Sequence, residues 1–167
     1  RIREACGLPD AQIFFLTGGT QTNATTIDSM LYQYEGVICV GSGHINVHET
    51  GAIAACGRTV LATRDADGFL SPEETERVYT FQTGTGRHMT RPAAIYISNT
   101  TELGGVWGLE RFDAICDWAE SRGLKIFLDG ARLGSALTSP AAGGLSLGHI
   151  AARTSAFYIG GTKNGLL

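Results

Sequence analysis

The chain has 167 residues, enough for one domain with a real core, and its 43% hydrophobic content is that of an ordinary soluble globular protein. With 13 basic and 16 acidic residues it carries a formal net charge of −3 and shows no basic stripe or charge block, which argues against nucleic acid and anionic membrane as partners. No apolar stretch is long enough to cross a membrane, and the start, Arg1-Ile2-Arg3-Glu4-Ala5, lacks the apolar core of a signal peptide.

The four cysteines, Cys6, Cys39, Cys56 and Cys116, are scattered without a Cys-x-x-Cys pair. Reduced thiols in a cytosolic protein are therefore expected. The 23 glycines exceed an average share of about 7% and fall in short clusters, which points to tight turns beside a ligand rather than to a linker.

In chain order, Arg1 to Cys6 reads as the tail of a helix stopped by Gly7. Ile13-Phe14-Phe15-Leu16 reads as a short strand, followed by Gly18-Gly19-Thr20 and a helix from Gln21 to Tyr34. Val37 to Val40 is a second strand. A short helix is expected over Glu49 to Cys56, with Gly57 as its stop, then a strand over Thr59 to Thr63. Ser71-Pro72-Glu73-Glu74 has a cap, a first-turn proline and a capping-box glutamate. Ala94 to Ser98 is the next strand. Leu109 to Arg122 is helical, with Phe112, Ile115, Cys116 and Ala119 at helical spacing and Gly123 as the stop. Lys125 to Leu128 and Ala156 to Ile159 are apolar runs; Pro140 to Gly148 reads as a Gly/Ala/Ser-rich loop that is mobile or lines a site.

Continuous apolar strands alternating with helices imply an α/β fold, a three-layer αβα arrangement with a mostly parallel sheet covered on both faces. There is no internal repeat and no domain boundary. Both ends look cut, the last residues being apolar Leu166-Leu167, so the chain reads as a fragment of a longer one.

Three groups stand where strands end. Lys163 lies in Gly160-Gly161-Thr162-Lys163-Asn164-Gly165, after Ala156-Phe157-Tyr158-Ile159. Asp129 and Arg132 lie in Asp129-Gly130-Ala131-Arg132, after Ile126-Phe127-Leu128. Ligands bind at that edge of open α/β sheets, and a lysine desolvated there can attack a carbonyl carbon. Asp129 is costly to bury unpaired and calls for a cationic partner, with Arg132 as one choice. Alternatively it is a structural ion pair or a helix cap. Lysine and aspartate together suggest a Schiff-base cofactor whose ring nitrogen needs an anion.

Gly18-Gly19-Thr20-Gln21 can cradle a phosphate at a helix N-terminus, or be a plain glycine turn with a threonine cap. It is not a Walker A loop. Gly41-Ser42-Gly43 has Asn46 where a dinucleotide fingerprint needs its third glycine. His44 and His48, beside Glu49, have a spacing that could hold a metal. His44 could equally stack on an aromatic ring, or start a helix with a bond to a carbonyl.

Gly-Gly-Thr-Gln, His-x4-Glu, Asn99-Thr100-Thr101 with Gly104-Gly105, Asp-Gly-Ala-Arg and Gly-Gly-Thr-Lys-Asn-Gly occur in one order. Together they resemble the threonine aldolase branch of the β-eliminating lyases, pyridoxal 5′-phosphate (PLP) enzymes of the aspartate-aminotransferase fold. The resemblance covers nearly the whole chain. It implies that residues 1–167 are the large PLP-binding domain, truncated at both ends, without the small C-terminal domain. It implies that Lys163 anchors the cofactor, Asp129 partners its ring nitrogen, and Arg132 lies near its O3′ and the substrate carboxylate. Gly19, Thr20 and Gln21 would hold the phosphate. His44 would stack on the ring and help in catalysis, with Glu49 beside it.

The implied reaction is retro-aldol cleavage of a β-hydroxy-α-amino acid such as L-threonine or L-allo-threonine to glycine and an aldehyde. The implied assembly is a homodimer or homotetramer with the site at the interface, and the implied compartment the cytoplasm. Thr101 stands where some relatives carry a histidine, which leaves its part in proton transfer open. Other PLP chemistry such as β-elimination, an inactive fragment, and a metal hydrolase using His44, His48 and Glu49 are the competing expectations.

Overall fold

The computed structural model describes residues 1–165; Leu166 and Leu167 lie outside it. Its center is a sheet of five parallel strands, β1 (Glu35–Val40), β2 (Thr59–Thr63), β3 (Arg91–Ser98), β4 (Lys125–Asp129) and β5 (Ala156–Phe157), in the order β2-β1-β3-β4-β5. The helices are α1 (Ile2–Cys6), α2 (Gly19–Met30), α3 (His44–Val47), α4 (Ala52–Ala55), α5 (Pro72–Gly84), α6 (Leu109–Ser121), α7 (Leu133–Thr138) and α8 (Leu147–Arg153). Short 3-10 turns cover Pro140–Ala142 and Thr162–Asn164.

Strand alternation sorts the core into two layers. Ile38, Val40, Ile95, Ile97, Ile126 and Leu128 point to one face, against Phe112, Ile115, Cys116 and Ala119 of α6, Val78 of α5 and Ile150 of α8. Val37, Cys39, Ala94, Tyr96 and Phe127 point to the other, against Ile27 of α2 and Ile53 of α4. Both faces are therefore dry, which is why these strands read as unbroken apolar runs. The expected three-layer αβα architecture is present, with every described strand pairing parallel.

Local signals explain most boundaries. Gly7 ends α1 at φ 67 and Gly123 follows α6 at φ 66, the left-handed conformation that favors glycine. Ser71 caps α5 by accepting the Glu74 N–H. The capping box is half made, because Asp65 rather than Glu74 accepts the Ser71 N–H.

Three expectations need correction. Ile13 to Leu16 is not a strand: Phe14 and Phe15 are 75% and 88% exposed. A strand requires a partner row of backbone donors and acceptors, and among the described residues no segment supplies one. The helix expected to start at Gln21 starts at Gly19 and stops at Met30. Pro140 to Gly148 is no open loop either; Ala142 and Leu145 are buried in the core, and α8 begins at Leu147.

Candidate functional site

The alternation that builds the core also builds the site. Asp129, the last residue of β4, is two residues beyond Phe127 and so shares its face, the one covered by α2 and α4. Tyr96, paired with Phe127 across β3 and β4, projects from that same face. Asn23 approaches from α2, one turn before buried Ile27.

These three meet. Asp129, 3% exposed, accepts the Tyr96 hydroxyl at 2.5 Å and the Asn23 Nδ2 at 3.0 Å on Oδ2, and the Ala131 N–H at 2.9 Å on Oδ1. Burial, and then the Asp129 charge, push the Tyr96 phenol well above its ordinary range, so it stays a donor. The Tyr158 phenol is raised for the same two reasons and faces the same carboxylate.

A second arm continues from Asn23. Its Nδ2 also donates to Glu49 Oε1 at 2.6 Å, and Glu49 Oε1 lies 2.7 Å from His44 Nδ1. His44 opens α3, four residues after β1 ends, and Glu49 follows that helix with 5% exposure. Thr50 (φ 53) and Gly51 (φ 77) form the left-handed turn after it. His48 stands apart from this network, tilted against His44 at 5.3 Å between ring centroids.

The lysine turn is tied to the aspartate turn by the backbone. Tyr158 N–H donates to Leu128 C=O, and Gly160 N–H to Gly130 C=O. A Cβ on Gly130 would lie 1.8 Å from the Tyr158 carbonyl oxygen, and one on Gly160 2.8 Å from the Ala131 Cα, so only glycine permits this approach. Asn164 adds side-chain bonds to Gly160, Ala131 and Ser135. Lys163 itself is exposed. The expected desolvated lysine is thus not found, because the 3-10 turn of Thr162–Asn164 carries it on the surface of this chain.

At α2 the cap is Gly18, and no side chain caps the helix. Thr20 is the second helical residue rather than the cap. Gln21 folds back, its Oε1 accepting the Thr17 N–H and hydroxyl. A Cβ on Gly19 would lie 3.1 Å from the Tyr158 hydroxyl, so the helix start adjoins the strand leading to Lys163.

Arg132 does not partner Asp129. It lies 3.8 Å from Glu102, and among the described residues no cationic side chain pairs with Asp129, which is satisfied by neutral donors instead. Thr101 is 2% exposed and its hydroxyl oxygen accepts the Gly105 N–H, so it closes its own loop. Asn23, Tyr96, Tyr158 and Glu102 were missed by sequence reasoning. Asn23 alone left a trace there, a polar residue one turn from Ile27 on a buried helix stripe.

The model of the β-eliminating lyases matches residues 1–167. The chain belongs to the β-eliminating lyase family. A low specificity L-threonine aldolase of Pseudomonas sp. is 29% identical over 94% of this chain and 45% of its own length. The structure of Leishmania major threonine aldolase superposes with a TM-score of 0.93 at 42% identity, covering 97% of this chain and 46% of that one. A Thermus thermophilus aspartate aminotransferase variant shares the fold alone, with a TM-score of 0.52 at 19% identity over 67% of this chain and 28% of that one. The chain spans just under half the length of its threonine aldolase relatives.

The cofactor of this β-eliminating lyase family is PLP, and the residues present fit it. Asp129 offers a buried carboxyl group that, among the described residues, has no cationic partner. The α2 start offers free N–H groups beside glycine. Asn23 Oδ1 and Glu49 Oε2 are buried polar atoms without partners, which marks this face as built for more than packing.

Proposed function

We propose that residues 1–167 are the PLP-binding large domain of a longer threonine-aldolase-type carbon–carbon lyase, which cleaves β-hydroxy-α-amino acids such as L-threonine or L-allo-threonine to glycine and an aldehyde. The observation that carries this reading is the continuous hydrogen-bonded line from His44 through Glu49 and Asn23 to Asp129, beside the turn of Lys163. It sets a proton acceptor and a buried anion on one face of the sheet.

When bound, PLP supplies an electron sink for the pair released at the substrate Cα. Lys163 would be the amine that anchors it. The N–H groups of Gly19, Thr20 and Gln21 would hold its phosphate, where the α2 dipole favors an anion. Asp129 would keep the ring nitrogen protonated. Arg132, beside Glu102, would bind the O3′ or the substrate carboxylate.

A carboxylate only accepts, so Glu49 holds the Nδ1–H tautomer of His44 by accepting its hydrogen bond, and Nε2 is left as the basic nitrogen. That nitrogen would accept the β-hydroxyl proton of the substrate as the Cα–Cβ bond breaks, and a proton returned to Cα would complete glycine. The exposure of Lys163 supports a site completed by a second copy in a homodimer or homotetramer. The four free cysteines, two of them with thiols pushed up to about 12 by burial, support a reduced, cytoplasmic protein. Among the described residues no helix is long and apolar enough to cross a membrane.

The test uses the full-length protein with added PLP. A near-visible absorbance band should form and be lost in Lys163→Ala, and L-threonine should yield glycine and acetaldehyde. Ammonia and 2-oxobutyrate would assign β-elimination instead. Absence of the band would remove the PLP reading.

A further inference from the structure

Asn23 is fully buried on α2 and divides the two Nδ2 protons between two carboxylates, Glu49 at 2.6 Å and Asp129 at 3.0 Å. The reverse orientation of the amide would set Oδ1 against both acids, so their charges fix which way it points. The cost of that arrangement is visible: Oδ1 is buried without a partner. An apolar residue, like Ile27 one turn on, would fill this helix face without that desolvation. Asn23 therefore does something that packing does not require.

Glu49 Oε1 receives both Asn23 Nδ2 and His44 Nδ1, and Asp129 Oδ2 receives both Asn23 Nδ2 and the Tyr96 hydroxyl. One amide thus sets the distance and orientation between the arm that holds the imidazole and the arm that holds the buried anion. We infer that Asn23 is a positioning residue, acting through Glu49 to place His44 relative to Asp129. The inference rests on the lyase reading above, in which His44 and Asp129 act on one bound molecule. A base displaced by a fraction of an ångström from its proton loses much of its rate advantage.

The test again uses the full-length protein. Asn23→Ala should lower kcat about 10–100-fold, the usual effect of losing a residue that orients a catalytic group, with KM changed only a few-fold. Glu49→Gln should do the same, and the double variant should be no worse than about three-fold below the weaker single variant, because both act along one line. Asn23→Asp, nearly the same shape but an acceptor, should be worse than Asn23→Ala; a space-filling role predicts the opposite. A readout independent of the cofactor is the downfield His44 Nδ1 proton resonance in the cofactor-free protein, identified by its loss in His44→Gln. It should shift upfield or vanish in Asn23→Ala. Independent, multiplying losses in the double variant, or an unchanged resonance in Asn23→Ala, would overturn the inference. A missing absorbance band in the unsubstituted protein would instead fall on the lyase reading.

Discussion

Asp129 ends β4 and Lys163 follows β5 of the same sheet, yet Asp129 is enclosed at 3% exposure while Lys163 sits on the surface in a short 3-10 turn. The difference lies in what holds each one. Asp129 is placed by β-sheet alternation, then locked by donors from β3, α2 and its own turn. Lys163 is placed by two close backbone approaches, at Gly130 and Gly160, and by the side chain of Asn164. The acid arm is complete within this chain, whereas the amine arm is correctly tethered but open to water. In the proposed function the Lys163 amine acts as a nucleophile, which calls for desolvation, and within this chain it is exposed.

The largest expected effect separates the arms by chemistry. In the full-length protein, Asp129→Ala should lower kcat by at least about a hundredfold, the scale of losing a group that stabilizes developing charge. It should retain part of the cofactor band, because the phosphate and lysine contacts remain. Lys163→Ala should lose the band outright. Equal turnover in Asp129→Ala and the unsubstituted protein would break the contrast. Asp129→Ala should also lower the melting temperature, since the Tyr96 hydroxyl and one Asn23 N–H would be left as buried donors without an acceptor, at about 1–3 kcal/mol each. Lys163→Ala, on the surface, should not.

A second expected effect comes from buried acids on the sheet face that carries Asp129. The Tyr96 phenol is raised by burial and by Asp129, and the Cys39 thiol is pushed up to about 12 by burial. Both protons are held more tightly folded than unfolded. Their stabilization is therefore full below the unfolded values, about 8.5 for cysteine and 10 for tyrosine, and is lost as pH rises from there toward the folded values. Between those limits each group should cost about 1.4 kcal/mol per pH unit. Melting temperature should fall steeply above about pH 9. Cys39→Ala should flatten the limb, and Lys163→Ala should leave it unchanged. A flat melting curve to pH 11 would contradict the sealed character of this face.

The central strands β1, β3 and β4 were legible in the sequence because they are buried on both sides and so carry continuous apolar runs. Thr59 to Thr63 was read at its observed bounds, and α6 within one residue of its end. Ile13 to Leu16 failed for the same reason: an apolar run says that a segment wants a partner, not that one is within this chain. Of the site, Lys163, Asp129, His44 and Gly19 stood out because each breaks an apolar run or opens a turn. Asn23 and Tyr96 did not, since their importance lies in which face they share with Asp129, and that depends on register between β3 and β4. The expected pairing of Asp129 with Arg132 failed on the same ground. Nearness in sequence suggested a salt bridge, but the end of β4 directs the carboxylate inward and the turn directs the guanidinium toward Glu102.

The smallest expected effect probes the tether itself. Asn164 donates to Gly160 C=O at 2.7 Å and Ala131 C=O at 3.4 Å, and its Oδ1 accepts from the Ser135 N–H at 3.2 Å and hydroxyl at 3.1 Å. The side chain is half-buried, so water replaces part of what is lost, and Asn164→Ala should cost only about 1 kcal/mol of stability. Its effect on function should be out of proportion to that. The Lys163 turn would keep its glycine contacts but lose its link to α7, so cofactor dissociation should quicken several-fold. The His44 Nδ1 resonance, which reports the other arm, should not move. If instead the resonance shifts while cofactor dissociation stays the same, the two arms are mechanically one unit, and the division between a sealed acid side and a tethered amine side does not hold.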